Sequence, residues 1–287
     1  MDFCVPSALS STTKSDIPTV GTSSTVDAEV ANFLKQNPNL HLGGQDDFTF
    51  SAGRSPHGTI QIRRFYPKSG HDLRKKNESA ALIYFHGGGY TVGSVDEFEN
   101  GLRIVAEESG AVIIGVEYRL APEWSFPVQL DEYDAVICWF KGNEGKKRGI
   151  SSEKICGGGD SAGGNMTAAV TLRRKDNGKK PLKAQLLFHR YISPGMQKPE
   201  NLKDPPPAAV FTCVFDPLRD VGVEYAHLLQ EAENTVHWSH FDSLTHGFLQ
   251  FAPWSEEAMK ATKLVGVELK SLTENQVFGY PIPPQTS

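Results

Sequence analysis

Gly159-Asp160-Ser161-Ala162-Gly163-Gly164 follows the β-prone Lys154-Ile155-Cys156 and opens a helix-prone run from Ala162 to Arg174. A G-x-S-x-G pentad between a strand and a helix has a steric logic. The chain turns sharply there, and only small neighbours keep side chains off the adjoining backbone. Ser161 is then expected at the tip of the turn, at the carboxyl edge of a sheet.

Working outward from that turn, β-like and helix-like segments alternate, the pattern of a mostly parallel sheet covered on both faces. Thr59 to Tyr66 carries β-branched and aromatic residues and is expected as an early strand at a sheet edge. Ala80–Phe85 and Ala111–Val116 are continuous apolar runs, as buried strands are. Phe98–Ser109 and Val128–Phe140 have helical periodicity. Downstream, Leu182–His189, Ala208–Val214 and Thr235–Phe241 read as strands, and Val221–Glu233 and Glu256–Leu272 as helices.

Two further groups give Ser161 a chemical context. The strand ending at Phe85 runs into His86-Gly87-Gly88-Gly89, which brings unobstructed backbone N–H groups to the same sheet edge. Such donors suit an oxyanion, and the expected set is Gly88, Gly89 and Ala162, with Gly87 a further candidate. A serine hydroxyl also needs a base and an acid that orients it. In the chain order nucleophile, acid, base, Asp216 ends the run Val210–Phe215, and His246 follows the last strand in Thr245-His246-Gly247-Phe248. Asp220 begins the following helix and reads instead as its N-terminal cap, and His237 and His240 lie inside the strand. His86 is expected to brace the glycine loop, and Asp160 to be held by backbone donors.

Composition bounds the rest. The 287 residues carry a formal net charge of −5 and are 39% hydrophobic, enough for one large domain with a full core. Arg63-Arg64, Lys75-Lys76 and Lys146-Lys147-Arg148 are short basic clusters, read as solvated surface, so nucleic acid is not an expected partner. Cys4, Cys138, Cys156 and Cys213 are scattered without metal or redox spacing and are expected as buried free thiols, which suits a reducing, cytoplasmic location. No apolar run nears the roughly 18 residues of a membrane span. Residues 1–24 are expected as a flexible arm, 25–272 as one domain, and 273–287 as a flexible tail.

The blocks His86-Gly87-Gly88-Gly89, Tyr118-Arg119-Leu120-Ala121-Pro122-Glu123, Gly159-Asp160-Ser161-Ala162-Gly163-Gly164, Asp216-Pro217-Leu218-Arg219-Asp220 and His246-Gly247-Phe248 resemble the hormone-sensitive-lipase-like branch of the α/β-hydrolase fold. The resemblance covers roughly residues 55 to 272. It implies hydrolysis of small carboxylic esters, short-chain ones expected, through an acyl-enzyme on Ser161, with no metal or cofactor, by a monomer or homodimer. It also implies that the Tyr118–Glu123 block is a structural brace. The chain departs from the family between residues 190 and 207, where a shortened insertion replaces most of the helical cap. Two other readings follow from the same resemblance. One is a ligand-binding protein, as in plant gibberellin receptors, which lack the histidine that this chain keeps; the other is an inactive product of cap loss.

Overall fold

The computed structural model describes residues 44–50, 58–190 and 198–274. The elements in chain order are β1 (Gly44–Phe50), β2 (Ile60–Tyr66), α1 (His71–Lys75), β3 (Ser79–Phe85), α2 (Glu99–Ser109), β4 (Val112–Glu117), α3 (Val128–Lys141), α4 (Asn143–Lys147), β5 (Ile150–Ser161) and α5 (Ala162–Asp176). They continue with β6 (Gln185–Arg190), β7 (Ala208–Phe215), α6 (Arg219–Glu231), β8 (Val236–Thr245), α7 (Phe248–Phe251) and α8 (Glu256–Glu274). Among the described residues, eight strands form one sheet in the order β1-β2-β4-β3-β5-β6-β7-β8, antiparallel where β2 meets β1 and β4 and parallel elsewhere.

Alternation along the strands builds two cores on one sheet. From β3, Leu82 and Tyr84 join Leu102 and Val105 of α2 and Val265 and Leu269 of α8 on one face. Ala81, Ile83 and Phe85 join Tyr133, Val136 and Ile137 of α3 and Met166 and Val170 of α5 on the other. All seven β3 residues are buried, so the continuous apolar run is that of a strand covered on both sides.

Three expectations are corrected. Thr59–Tyr66 is not the edge: β1 lies outside it, with Asp46 opposite Arg64 and Phe48 opposite Ile62. The acids in Gly44–Phe50 mask its β character in the sequence. Lys154–Cys156 is only the middle of a 12-residue strand that continues through three glycines to Ser161. The closing helix ends at Glu274, so Thr273 and Glu274 belong to the fold and not to a tail. Residues 1–24 and 275–287 lie outside the described residues. Cys156 and Cys213 are buried free thiols, whereas Cys138 is free but exposed, and Cys4 is not described.

The connection from β6 to β7 decides what covers the sheet edge. Residues 191–197 lie outside the described residues. After them, a single 3-10 turn, Pro199–Leu202, packs against α6, with Leu202 fully buried beside Tyr225 and Leu229. Asn234 donates to the Leu202 carbonyl at 2.8 Å, and Gln185 N–H to Pro207 O at 2.9 Å. Residues 198–207 therefore serve the strand crossover at the amino edge of the sheet. Among the described residues, no helix is long and apolar enough to cross a membrane.

Candidate active site

Ser161 sits between β5 and α5 with φ 50° and ψ −116°, a left-handed backbone that costs a non-glycine residue about 1–3 kcal/mol. The surrounding backbone enforces the turn. A Cβ on Gly163 would lie 1.8 Å from Phe85 O, and one on Gly159 would lie 2.3 Å from the same oxygen. The end of β3 and the serine turn are thus in direct backbone contact, which bulkier residues would prevent.

Asp216 and His246 are brought together by strand register. Phe215 pairs with Thr245 across β7 and β8, and the next residue on each strand is one of the two. Thr245 Oγ1 donates to Phe215 O at 3.0 Å and ties the strand ends together. His246 Nδ1 lies 3.0 Å from Asp216 Oδ1, whose side chain is fully buried and also accepts the Leu218 N–H at 2.8 Å. With Nδ1 turned to a carboxylate, it carries the proton and leaves Nε2 as the acceptor. Burial draws the His246 pKa down, but its bond to Asp216 and the charges of Asp216 and Asp160 outweigh that effect, leaving it above the usual histidine value. After His246, Gly247 adopts φ 73° and Phe248 enters the core against Phe188 and Phe241.

Asp160 is buried and takes two donors on one oxygen: Tyr84 Oη at 2.5 Å and Gly87 N–H at 2.8 Å. Burial pushes its pKa up to about 6 against the pull of those hydrogen bonds. The Gly87 amide is thereby committed to a carboxylate, which removes it from the expected oxyanion donors. The N–H groups of Gly88 and Gly89 have no acceptor among the described residues. Ala162 is the first residue of α5, where the amide precedes the first intrahelical bond. Gly88 has φ 112°, and a Cβ there would lie 2.0 Å from Val92 O.

His86 is wholly buried and stacks on Tyr118 at 4.3 Å, with Nδ1–H donating to Gly87 O at 2.7 Å. Burial lowers its pKa to about 4, so the ring is neutral and holds the loop instead of carrying charge. Tyr118 Oη donates to His86 O at 2.9 Å. The Tyr118–Glu123 block acts as a brace, but the acid engaging Arg119 is the buried Glu132, while Glu123 is exposed. Asp220 does not cap α6, whose N-cap is Leu218: it lies in the first turn, exposed and paired with Arg219 at 2.7 Å, and His237 is buried against Glu268 at 2.7 Å. Two residues escaped the sequence reading. Asn165, one helical turn after Ser161, donates through Nδ2 to Tyr90 Oη, which joins α5 to the residue that follows the glycines. Tyr133 Oη lies 2.8 Å from Thr167 Oγ1 and accepts Gly158 N–H at 3.0 Å, bracing β5 from below. The i, i+4 spacing of Asn165 was the available signal. Among the described residues no cluster of His, Cys, Asp or Glu is arranged to hold a metal ion.

A family model described as an alpha/beta hydrolase fold matches residues 82–191 and 188–250, two segments that meet at the end of β6. Esterase LipI of Mycobacterium tuberculosis is 30% identical over 250 aligned residues, covering 72% of this chain and 76% of LipI. Carboxylesterase NlhH of the same species is 28% identical over 246 residues, covering 71% and 75% of the two chains. Among solved structures, the hyperthermophilic esterase of Pyrobaculum calidifontis superposes with a TM-score of 0.75 at 28% identity, covering 85% of this chain and 88% of that one.

Proposed function

Because the chain belongs to the hormone-sensitive-lipase-like family of α/β hydrolases, we propose that it is a serine hydrolase that cleaves short-chain carboxylic esters through an acyl-enzyme intermediate. The observation that carries the reading is the Asp216–His246 hydrogen bond, set by register at the sheet edge that also presents Ser161 in its strained turn.

The chemistry follows from the groups present. Ser161 Oγ attacks the ester carbonyl carbon while His246 Nε2 takes its proton, and Asp216 stabilises the imidazolium that results. Negative charge gathers on the carbonyl oxygen, where the amides of Gly88, Gly89 and Ala162 are the available donors. The C–O bond to the alcohol breaks as His246 returns the proton to the leaving oxygen. Water then enters, gives a proton to the same histidine, attacks the acyl carbon and releases the acid with Ser161 restored. The short-acyl preference is supported by the connection from β6 to β7, whose residues 199–202 pack as a single turn against α6.

Purified protein should hydrolyse p-nitrophenyl acetate and butyrate faster than the longer homologues. Ser161→Ala should lose about 10⁴-fold or more in kcat with its fold unchanged by circular dichroism. Equal turnover in that variant overturns the assignment, and a rate that rises with acyl length overturns the short-chain part.

A further inference from the structure

Strand register joins a second pair of residues beside the glycine loop. Phe85 of β3 pairs with Val116 of β4, so the next residues, His86 and Glu117, stand side by side at the sheet edge. His86 Nδ1 lies 2.7 Å from Gly87 O, and a carbonyl only accepts, so that nitrogen carries the proton of the neutral ring. Nε2 is left with a lone pair, buried and without a hydrogen-bond partner among the described residues. Glu117 Oε2 stands 3.8 Å from it. Oε1 of the same carboxyl accepts the Val95 N–H at 2.9 Å, where the chain returns from the glycine loop into the 3-10 turn Val95–Phe98. That return is tight: a Cβ on Gly93 would lie 2.7 Å from Gly87 O, and one on Gly115 would lie 2.6 Å from Val95 Cγ1.

An imidazole lone pair and an ionised carboxylate are both acceptors, and 3.8 Å exceeds the reach of about 3.2 Å of a hydrogen bond between nitrogen and oxygen. One proton on the carboxyl turns the pair into donor and acceptor and satisfies the buried nitrogen. Around Glu117 stand His86 at the end of β3, Arg63 from β2, Asp96 and Glu97 from the 3-10 turn, and Tyr118 next along its own chain. Burial lifts the Glu117 carboxyl above the usual carboxylate range; Asp96 and Glu97 act in the same direction, and the Val95 amide and Arg63 oppose them. The peptide between Gly87 and Gly88 carries the effect to the site. In a trans peptide the C=O and N–H point in opposite directions within one plane, so a ring that holds Gly87 O also aims the Gly88 N–H, an expected oxyanion donor. Hydrogen bonds linked in such a chain strengthen one another.

We propose that Glu117, in its carboxylic acid form, is a positioning residue for the oxyanion hole: its O–H donates to His86 Nε2, which strengthens the Nδ1–H bond to Gly87 O and, through that peptide, the Gly88 N–H. This role rests on the serine-hydrolase reading above. The proton comes from solvent and returns to it, and the O–H bond of the carboxyl is the bond that forms and breaks. Once ionised, the carboxylate keeps its bond to the Val95 amide and leaves Nε2 without a donor. The loop is then held by Nδ1 alone.

The test compares Glu117→Gln and Glu117→Ala with the parent on p-nitrophenyl acetate at pH 5.5 and pH 8.5, where ratios of kcat cancel the His246 limb that all three share. The glutamine amide donates to Nε2 at both pH values and its oxygen still accepts from Val95. Its kcat should match the parent's at pH 5.5 and exceed it about threefold or more at pH 8.5, with KM within about twofold. Glu117→Ala should lose about tenfold in kcat at pH 5.5 and less at pH 8.5. A Gln-to-parent ratio equal at the two pH values would leave Glu117 as an anchor for Val95 and overturns the proposal, as does a Gln variant as slow as the Ala one at pH 5.5. The nitrogen-15 resonance of His86 Nε2, identified by its loss in His86→Asn, gives a readout free of turnover and is taken in Ser161→Ala. It should move between pH 5.5 and 8.5 with Glu117 present and hold still in the Glu117→Gln background; a resonance that holds still in both overturns the proposal. If the purified protein hydrolyses no ester, the serine-hydrolase reading fails, and the nitrogen resonance alone decides whether Glu117 donates to His86.

Discussion

Ser161 and its neighbour Asp160 place two demands on the same turn, one steric and one electrostatic. Asp160 holds Gly87 through its amide and Tyr84 through its hydroxyl, yet burial lifts its pKa from 3.8 to about 6. Between those values the folded protein keeps a proton that the unfolded chain has released, so stability falls as pH rises through the window. Two units correspond to roughly 3 kcal/mol. Asp160→Asn keeps an acceptor oxygen and removes the charge, so its urea midpoint should exceed that of the parent at pH 8 and match it near pH 4. A lower midpoint at pH 8 would show that the charged hydrogen bonds outweigh the burial cost. His246 makes a second prediction at this scale. Its neutral form is the proposed base and its pKa is raised, so kcat/KM should fall as pH drops through a value above 6.5. In Asp216→Asn the raising partner is gone while burial remains; that limb should move to lower pH and kcat should fall by about 10⁴. An unmoved limb would assign it to another group.

Among the elements, the short crossover before β7 makes the sharpest claim. Leu202 is wholly buried in the cluster with Leu187, Val210 and Leu229, although it belongs to a 3-10 turn of four residues. Leu202→Ala should cost about 2–5 kcal/mol in urea unfolding. A loss under 0.5 kcal/mol would mean that the turn is merely laid on the surface. β5 carries a related expectation. Gly163→Ala puts a methyl group into Phe85 O and should abolish soluble expression or destabilise by more than about 3 kcal/mol. These elements also show where sequence reading succeeds. The apolar runs of β3 and β4 announce strands buried on both sides, and the residues flanking Ser161, Asp216 and His246 announce strand ends, because local chemistry and tertiary role agree there. β1 and the glycine-rich half of β5 are illegible for the opposite reason. Acids in one and glycines in the other suit the sheet only through partners supplied by β2, Tyr133 and Phe85. The committed Gly87 amide was hidden too, since its acceptor lies 73 residues away.

Across the whole molecule, two buried ionisable groups at the serine edge respond to acid in opposite ways. His86, with its pKa near 4, is neutral in the fold, and between about pH 4 and 6.5 the unfolded chain binds the proton that the folded one refuses. Stability from this group is therefore lost on acidification through that window, roughly 3 kcal/mol in all, against the opposite slope from Asp160. His86→Asn should flatten the acid side of the stability profile measured by chemical unfolding from pH 7 to 4; an unchanged profile would assign the slope elsewhere. The sheet as a whole has one further property, set by register. Ser161 pairs with Arg190, so the chain departs from β6 directly beside the nucleophile before it returns to the amino edge. Any polypeptide spliced in at that departure point would land over the serine while the eight-stranded scaffold kept its order. The molecule is, in engineering terms, a socket: a minimal hydrolytic chassis into which lids of chosen size and polarity could be plugged, each setting its own substrate range.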